Sequence, residues 1–254
     1  MFHVIIRDTY DEVSDEAFRV MKEVLRKPAP VLGLATGSTP LGLYQRMVAD
    51  YAAGGQNYSH VLTFNLDEYV GLPRDHEQSY WTFMHENLFN HIGIPGENVH
   101  MLPGFSEDFV DDCDEYEAML QKHIPDIQLL GIGSNGHIAF NEPGTRFNTL
   151  SHVVDLSEQT IRDNARFFGG DVTKVPKQAV TMGLESILRS KKALLLATGA
   201  NKADAVAAMM TPPPTLDCPA SILQSHKDVT VILDREAASK LKNENMAREF
   251  DIET

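Results

Sequence analysis

This 254-residue sequence has very few cysteines and no recognisable metal-binding motif. Cys113 and Cys218 are its only cysteines, and no C-x-x-C pair occurs. Two such isolated residues predict reduced thiols, as is usual in the cytoplasm, rather than a disulfide framework. The histidines form no H-E-x-x-H, H-x-x-E-H or Cys/His cluster at ligand spacing. We therefore expect a cytoplasmic protein with neither a structural nor a catalytic metal.

Positive charge and long hydrophobic runs are scarce as well. Lysine and arginine number 22 against 36 aspartate and glutamate residues, which gives a formal net charge of −14. Such a chain has no general attraction for phosphate polymers or anionic surfaces, so we expect neither a nucleic-acid nor a membrane partner. Its apolar stretches, such as 193–197, are far shorter than the ~20 residues of a membrane-spanning helix. An anionic small molecule could bind only where basic side chains and backbone amides gather locally.

Short apolar, β-branched runs alternate with helical patterns along the chain. The runs that predict strands are 4–7, 31–36, 61–66, 99–102, 127–132, 153–156, 179–183, 193–198 and 229–233. Helical patterns cover 14–25, 41–53, 79–89, 108–122, 157–168 and 200–209, with a further charged helix from residue 235 onward. This alternation is typical of parallel βαβ units. We predict an α/β protein with a mostly parallel sheet and, because no linker divides it, one domain over 1–254.

A glycine-rich loop follows the strand predicted over 127–132. Gly131, Gly133 and Gly136 can take positive φ or let a ligand approach the backbone, and His137 and Glu142 come directly after them. Ligands of open α/β sheets bind at the carboxyl ends of parallel strands. The loop therefore combines access with groups that transfer protons, and we predict that it is the active-site loop. A tight turn with a surface histidine is the alternative.

The same loop also spells the dinucleotide fingerprint G-x-G-x-x-G. Asp155 lies about 20 residues further on, where a ribose-binding acid is expected. That fingerprint requires a helix to open at its third glycine, so that the pyrophosphate lies on the helix N-terminus. Pro143 interrupts the chain within about two helical turns of Gly136, and proline is excluded from helix interiors. Nicotinamide binding is thus disfavoured, and we expect no cofactor.

Three other places favour an anion. The strand predicted over 31–36 leads through Gly37, Ser38 and Thr39 into a helix, whose N-terminal amides and dipole attract negative charge. Lys202 in the first turn of the helix 200–209 opposes that helix dipole unless an anion is bound there. Arg166 lies near the end of the helix 157–168. A plain helix cap and solvated cations are the alternatives.

Adjacent acids follow the strand predicted over 61–66. Asp67 and Glu68 lie just past its carboxyl end, where ligands of α/β sheets bind. Successive side chains of an extended backbone point to opposite sides, so at most one of the two carboxylates faces a site there. Solvated loop charge is the alternative interpretation.

Together these loops closely resemble the glucosamine-6-phosphate deaminase family. The resemblance runs over nearly the whole chain, and its most specific parts are Gly-His-Ile-Ala-Phe-Asn-Glu-Pro at 136–143 and Asp-Glu-Tyr-Val-Gly-Leu at 67–72. It implies a modified Rossmann-like α/β/α sandwich. It also implies an enzyme of amino-sugar catabolism that converts D-glucosamine 6-phosphate and water to D-fructose 6-phosphate and ammonia.

The resemblance also assigns roles to residues. It makes Asp67 the acid/base that moves a proton between adjacent sugar carbons, His137 the residue that opens the sugar ring, and Glu142 the carboxylate that orients His137. Many relatives have a second acid where this chain has Asn135, which can hold the imidazole by hydrogen bonds but adds no charge. The expected substrate-binding residues are Thr36, Gly37, Ser38, Thr39, Gly136, Arg166 and Lys202.

One departure from the family concerns regulation. Hexameric, allosterically controlled relatives carry an Arg-x-Lys-Thr run in a site for an acetylglucosamine-phosphate effector. The matching stretch here reads His152-Val153-Val154-Asp155, which has no cation pair for a phosphate. We expect little or no activation by that effector.

Two other functions stay open at this point. A 6-phosphogluconolactonase-like hydrolase shares the scaffold and a sugar-phosphate ligand, but it does not need Asp67 as a carbon acid/base. A sugar-phosphate-sensing module needs a DNA-binding segment, for which the chain has neither spare length nor basic charge. The sequence leaves both a homo-oligomer and a monomer open.

Overall fold

Parallel strands form the centre of the protein, in a computed structural model that describes residues 2–241 and 250–253. The strands are β1 (Phe2–Arg7), β2 (Val31–Leu34), β3 (Leu62–Asn65), β4 (Asp67–Tyr69), β5 (Val99–His100), β6 (Ile127–Leu130), β7 (His152–Asp155), β8 (Gln178–Thr181), β9 (Ala193–Ala197), β10 (Val229–Asp234) and β11 (Phe250–Glu253). Eight of them form one sheet in the order β11-β1-β10-β9-β6-β2-β3-β5, in which all neighbours run parallel. Strands β4, β8 and β7 form a small antiparallel sheet.

Helices flank the parallel sheet and complete the predicted α/β/α sandwich. They are α1 (Tyr10–Leu25), α2 (Leu41–Ala52), α3 (Tyr80–Asn87), α4 (Phe109–Lys122), α5 (Glu158–Asn164), α6 (Leu184–Leu188) and α7 (Ala203–Met210). Within 2–241 and 250–253, no helix is both long and apolar enough to cross a lipid bilayer. The parallel sheet with its flanking helices confirms the predicted fold class.

Apolar patterning and capping explain why these elements form. Strand β9 is buried along its whole length, as expected for a central strand covered on both faces. Helix α1 begins with a capping box, in which Thr9 and Glu12 each accept a hydrogen bond from the other's backbone. Its buried residues recur with helical spacing and face the sheet. Burial of each large aliphatic side chain contributes about 1.5–3 kcal/mol.

The strand order of the parallel sheet changes direction between β2 and β6. From β2 the chain adds β3 and β5 on one side, whereas β6, β9 and β10 lie on the other. The loops that follow β2 and β6 therefore diverge, and a crevice opens between them at the carboxyl ends of the strands. Ligands of open α/β sheets bind at such a switch point.

Several predicted boundaries and one predicted helix differ from the structure. The helix expected over 157–168 is α5 followed by a 3-10 turn, Ala165–Phe168, that ends at Gly169 in the left-handed region. The charged helix expected from residue 235 is wrong over 235–241, which forms turns, and its remainder up to 249 lies outside the described residues. Here Asp234, the last residue of β10, and Glu236 accept the backbone N–H groups of Gly199 and Ala200 through their side chains. Strands β4 and β11 were not predicted.

Candidate active site

A cleft of about 650 Å³ opens at the switch point of the sheet. It is lined by the loops that follow β2, β3, β6 and β9, and by residues of α3 and of the α5 region. Of the residues predicted from sequence, those that line it are Thr36, Gly37, Ser38, Thr39, Asp67, His137, Arg166 and Lys202. The topology thus gathers segments that are far apart in the chain into one site.

Asp67 is a buried carboxylate in the cleft wall. It is the first residue of β4, immediately beyond β3, and only 6% of it is exposed. Burial, with a smaller contribution from the charge of Glu68, raises the pKa of Asp67 to about 8. Loss of hydration disfavours the charged form, and no hydrogen bond from a described residue compensates it. A carboxyl group of this kind exchanges a proton near neutral pH, as an acid/base catalyst requires.

Glu142 lies behind His137 and is held by several donors. Its Oε2 accepts a hydrogen bond of 2.8 Å from Asn135 Nδ2, and its Oε1 accepts one of 3.1 Å from Ser157 Oγ and one from Thr160 Oγ1. Burial alone raises the pKa of Glu142, but the interactions with His137, Thr160 and Asn135 outweigh it and hold the pKa at about 2. Glu142 is therefore ionised near neutral pH.

The imidazole of His137 faces this carboxylate from the cleft side. Its Nδ1 lies 3.7 Å from Glu142 Oε2, which is an ion-pair distance but too long for a hydrogen bond. Nδ1 is buried and has no hydrogen-bond partner among the described residues. Gly133 makes this position possible, because a Cβ there would lie 2.3 Å from the imidazole. A small ring movement toward Glu142 would align the two groups.

Gly136 does not line the cleft. Its φ is 85°, and an added Cβ would lie 2.7 Å from the sulfur of Cys218. This glycine therefore serves the turn and the packing of the loop against Cys218. The segment 131–144 contains no helix, and Ala139 in it takes a φ of 51°. The helix that a dinucleotide fingerprint requires is thus missing here, as the sequence predicts.

Two basic residues, Arg166 and Lys202, also line the cleft. Burial and the charge of Arg166 lower the pKa of Lys202, whereas Asp163 acts in the other direction. The two cations therefore repel each other across the cleft, and an anion between them would relieve that repulsion. Helix α2 begins close by without a side-chain cap, although Tyr10 already accepts the Gly42 N–H. The arrangement fits a phosphate group.

Comparison with known proteins decides the family. Residues 7–232 match a family described as glucosamine-6-phosphate isomerases/6-phosphogluconolactonase. The chain belongs to this family.

Relatives within the family include proteins named as deaminases. The chain is 49% identical over 245 residues to the glucosamine-6-phosphate deaminase of Thermoanaerobacter pseudethanolicus, with 96% of each chain covered. It is 49% identical over 243 residues to glucosamine-6-phosphate deaminase 2 of Bacillus subtilis, with 94% of this chain and 98% of the relative covered.

Solved structures give the same result for the fold. A monomeric glucosamine-6-phosphate deaminase superposes with a TM-score of 0.91 at 44% identity, over 94% of this chain and 99% of that one. A 6-phosphogluconolactonase from Trypanosoma brucei reaches a TM-score of 0.79 at 22% identity, over 95% and 99%. The latter likeness concerns the fold alone.

Some cleft residues escaped the sequence analysis. Thr198 and Asn201 follow β9. They lie at and just beyond the end of the strand predicted over 193–198, and this position could have identified them as cleft residues. Tyr80 and Asp163 lie on helices, where nothing in the local pattern distinguishes a cleft residue from a surface one. Glu68 does not line the cleft, in keeping with the expectation that only one of the adjacent acids faces it. Among residues 2–241 and 250–253, no group of three or more potential ligands could hold a metal ion.

Proposed function

We propose that this protein is a glucosamine-6-phosphate deaminase, which converts D-glucosamine 6-phosphate and water to D-fructose 6-phosphate and ammonia. The observation that carries the proposal is that one cleft is lined by a pair of cations, by a proton-exchanging carboxylate and by the imidazole of an imidazole–carboxylate pair. The identity of 49% to proteins named as deaminases supports the same reaction. A small-molecule sugar phosphate is thus the expected partner.

The phosphate group would bind beside the two cations that line the cleft. Arg166 offers a planar fork of donors, Lys202 a compact charge, and the segment 36–39 its hydroxyls and amides. A net charge of −14 repels a dianion at long range. Binding therefore depends on this local concentration of positive charge.

His137 would open the sugar ring. It would pass a proton between the ring oxygen and the anomeric hydroxyl, so that the aldehyde form of the substrate becomes available. Glu142 would hold the imidazole in place and stabilise its protonated form, as an acid behind a catalytic histidine does. Asn135 would in turn fix Glu142, to which it donates a hydrogen bond.

Asp67 would carry out the isomerisation. As a carboxylate it would remove the proton from C2 of the open-chain sugar, which gives a cis-enolamine, and it would return that proton to C1. The product is an imine at C2. Water adds to that imine and ammonia leaves, so that D-fructose 6-phosphate remains. One carboxyl group serves both transfers, because the two carbons are neighbours.

A 6-phosphogluconolactonase-like hydrolase is less favoured. The solved 6-phosphogluconolactonases from Trypanosoma brucei and Leishmania guyanensis are 22% and 24% identical to the chain, against 44% for the monomeric deaminase. Lactone hydrolysis does not require a carboxyl group that exchanges protons with carbon, whereas Asp67 has the burial and the pKa for that task. No described residue suggests a separate DNA-binding segment for a sugar-phosphate sensor. The cytoplasmic location stays a prediction.

Three substrates test the proposal. Purified protein should release ammonia from glucosamine 6-phosphate in equal amount to fructose 6-phosphate. It should act poorly on glucosamine, which lacks the phosphate, and should not hydrolyse 6-phosphogluconolactone. Lys202→Gln should raise the KM for glucosamine 6-phosphate with a smaller effect on kcat. Lactone hydrolysis without ammonia release from the amino sugar would contradict the proposal.

A further inference from the structure

Glu68 is a buried acid that no step of the proposed reaction uses. It follows Asp67 in β4, where successive side chains point to opposite faces of the strand. Asp67 lines the cleft, whereas Glu68 does not, although only 3% of Glu68 is exposed. A carboxylate is costly to bury without partners, so its contacts should reveal its role.

The Glu68 carboxylate lies at the N-terminus of α3. Its Oε1 accepts hydrogen bonds from the backbone N–H groups of Tyr69 at 2.8 Å and Tyr80 at 2.9 Å, and its Oε2 accepts one from Trp81 N at 2.9 Å. Tyr80 and Trp81 are the first two residues of α3, and the cap residue Ser79 accepts the third N–H, from Thr82. The side chains of Glu68 and Ser79 thus satisfy the three N–H groups that begin the helix. All hydrogen-bond partners of Glu68 are donors, and the helix dipole favours an anion there.

Helix α3 places an aromatic wall beside Asp67. Tyr80 lines the cleft, and its hydroxyl interacts with the side chains of Thr36 and Tyr69. The Tyr80 ring lies parallel to Phe140, with a centroid distance of 6.0 Å and an interplanar angle of 4°. A displacement of the first turn of α3 would therefore move a wall that contacts the substrate-binding segment at Thr36.

We propose that Glu68 is a positioning residue of the active site: its carboxylate ties β4 to the N-terminus of α3 and so fixes Asp67 and Tyr80 relative to each other. The inference rests on the proposed function for its kinetic consequences. Its structural part rests on three backbone hydrogen bonds that join two cleft-forming elements. Glu68 contacts neither the cleft nor the substrate, so it acts through its neighbours.

The charge of Glu68 adds an electrostatic effect on Asp67. Burial and this neighbouring charge both raise the pKa of Asp67. The other groups that face Asp67 are tyrosines: Tyr69 on β4, Tyr80 on α3 and Tyr116 on α4. All three stay neutral at pH 7, because burial raises their pKa values further. His137 shares the cleft with Asp67. Burial raises the pKa of Glu68 itself, and this rise is opposed by the hydrogen bonds from the backbone N–H groups of Tyr80, Trp81 and Tyr69 and by the charge of Arg74.

Removal of this charge should change the titration of Asp67 in a known direction. Glu68→Gln keeps the shape but removes the charge, so the pKa of Asp67 should fall by on the order of one pH unit. The acidic limb of the kcat/KM profile, where Asp67 becomes the active carboxylate, should move to lower pH by the same amount. The kcat of the Glu68→Gln variant should fall roughly 10-fold, because the glutamine amide places N–H groups against the backbone N–H groups of α3.

Two further variants separate position from charge. Glu68→Asp keeps the charge but withdraws the carboxylate by one methylene from α3, so kcat should fall while the acidic limb stays in place. Glu117→Gln is the matched control: Glu117 is also a buried carboxylate that accepts a backbone N–H, from Ser151, but it lies outside the cleft. Its substitution should lower the melting temperature without moving the acidic limb.

The decisive measurement does not need turnover. The titration of Asp67, followed by NMR of carboxyl-13C-labelled aspartate in the free protein and assigned with Asp67→Asn, should shift in Glu68→Gln and not in Glu117→Gln. A folded Glu68→Gln protein with the wild-type Asp67 titration and a kcat within twofold of wild type would overturn the inference. Absence of ammonia release by wild type would instead overturn the proposed function, and the titration would still decide the role of Glu68.

Discussion

Two carboxylates of this site, Asp67 and Glu142, are almost equally buried and yet have opposite acidities. They are 6% and 8% exposed, but the pKa of Asp67 is raised to about 8 and that of Glu142 is lowered to about 2. Asp67 has burial and a like charge around it. Glu142 has hydrogen-bond donors on both oxygens and an imidazole beside it. The comparison shows that hydrogen bonds and neighbouring charge, together with burial, determine which form of a buried acid is stable.

The same comparison separates the two chemical roles. A group whose pKa is near 8 can give and take protons at neutral pH, whereas one near 2 stays ionised and acts only as a fixed charge. We therefore infer that Asp67 transfers protons and that Glu142 orients His137. Substitution of each by its amide should reveal this difference.

The largest effect is expected from Asp67→Asn. An amide cannot remove a proton from carbon, so kcat for ammonia release should fall by on the order of 10²–10⁴-fold. The proposed phosphate contacts of Arg166 and Lys202 are not altered by this substitution, so binding of glucosamine 6-phosphate, measured by calorimetry, should stay close to that of wild type. Turnover at the wild-type rate would remove Asp67 from the mechanism.

A smaller loss is expected from Glu142→Gln. The glutamine oxygen can still accept from Ser157 and Thr160, but the negative charge beside His137 is gone. Turnover of the ring-closed substrate should fall roughly 10-fold to 100-fold, less than for a group that itself transfers the proton.

The acidic limb of the pH profile adds a second readout for this variant. It should stay where it is in wild type, because Glu142 remains ionised throughout the working range. An open-chain substrate analogue should be affected less than the closed sugar, since it bypasses ring opening. Equal losses on both would contradict the role of the His137–Glu142 pair.

Unfolding experiments should show that Asp67 and Glu142 affect the stability of the fold in opposite ways as pH changes. The folded pKa of Asp67 lies above its unfolded value of about 3.9, so ionisation of Asp67 destabilises the fold increasingly as pH rises from about 4 to 8. The folded pKa of Glu142 lies below its unfolded value of about 4.3. Its contribution is therefore complete above about pH 5 and is lost as pH falls toward 2.

Denaturant unfolding of the amide variants measures both effects. Relative to wild type, Asp67→Asn should gain stability with pH, by at most about 1.4 kcal/mol per pH unit. Glu142→Gln should lose on the order of 2–3 kcal/mol at pH 7 and much less at pH 3. If both variants responded to pH in the same direction, the assigned environments would be wrong.

Much of this site could be predicted because parallel strands bring their carboxyl ends to one edge. Asp67, His137, Arg166 and Lys202 were found from their places after predicted strands or near predicted helix ends, and all four line one cleft. Likewise, Pro143 was enough to exclude the helix that a dinucleotide-binding fingerprint requires after its third glycine. These inferences used local sequence and the topology it implies.

Contacts between distant segments could not be predicted. The bonds from Glu68 to the start of α3 join residues 12 and 13 positions apart, across a loop that carries no signal for them. The pKa difference between Asp67 and Glu142 likewise depends on donors such as Thr160, 18 positions from Glu142. The hydrogen bonds that Asp234 and Glu236 accept from the backbone of Gly199 and Ala200 are also long-range, since they join residues 35 and 36 positions apart.

The smallest expected effect concerns a third carboxylate, Asp155, which lies outside the cleft. It is exposed in β7 and accepts a hydrogen bond of 2.8 Å from Gln178 Nε2. The family resemblance implies that Asp155 stands where allosteric relatives have part of a cationic run for an acetylglucosamine-phosphate effector, and an acid at that position would repel a phosphate. N-acetylglucosamine 6-phosphate should therefore leave the rate curve for glucosamine 6-phosphate unchanged, apart from competition at the cleft. A sigmoidal rate curve that N-acetylglucosamine 6-phosphate makes hyperbolic would contradict this prediction, because it would show that a phosphate is bound there despite Asp155.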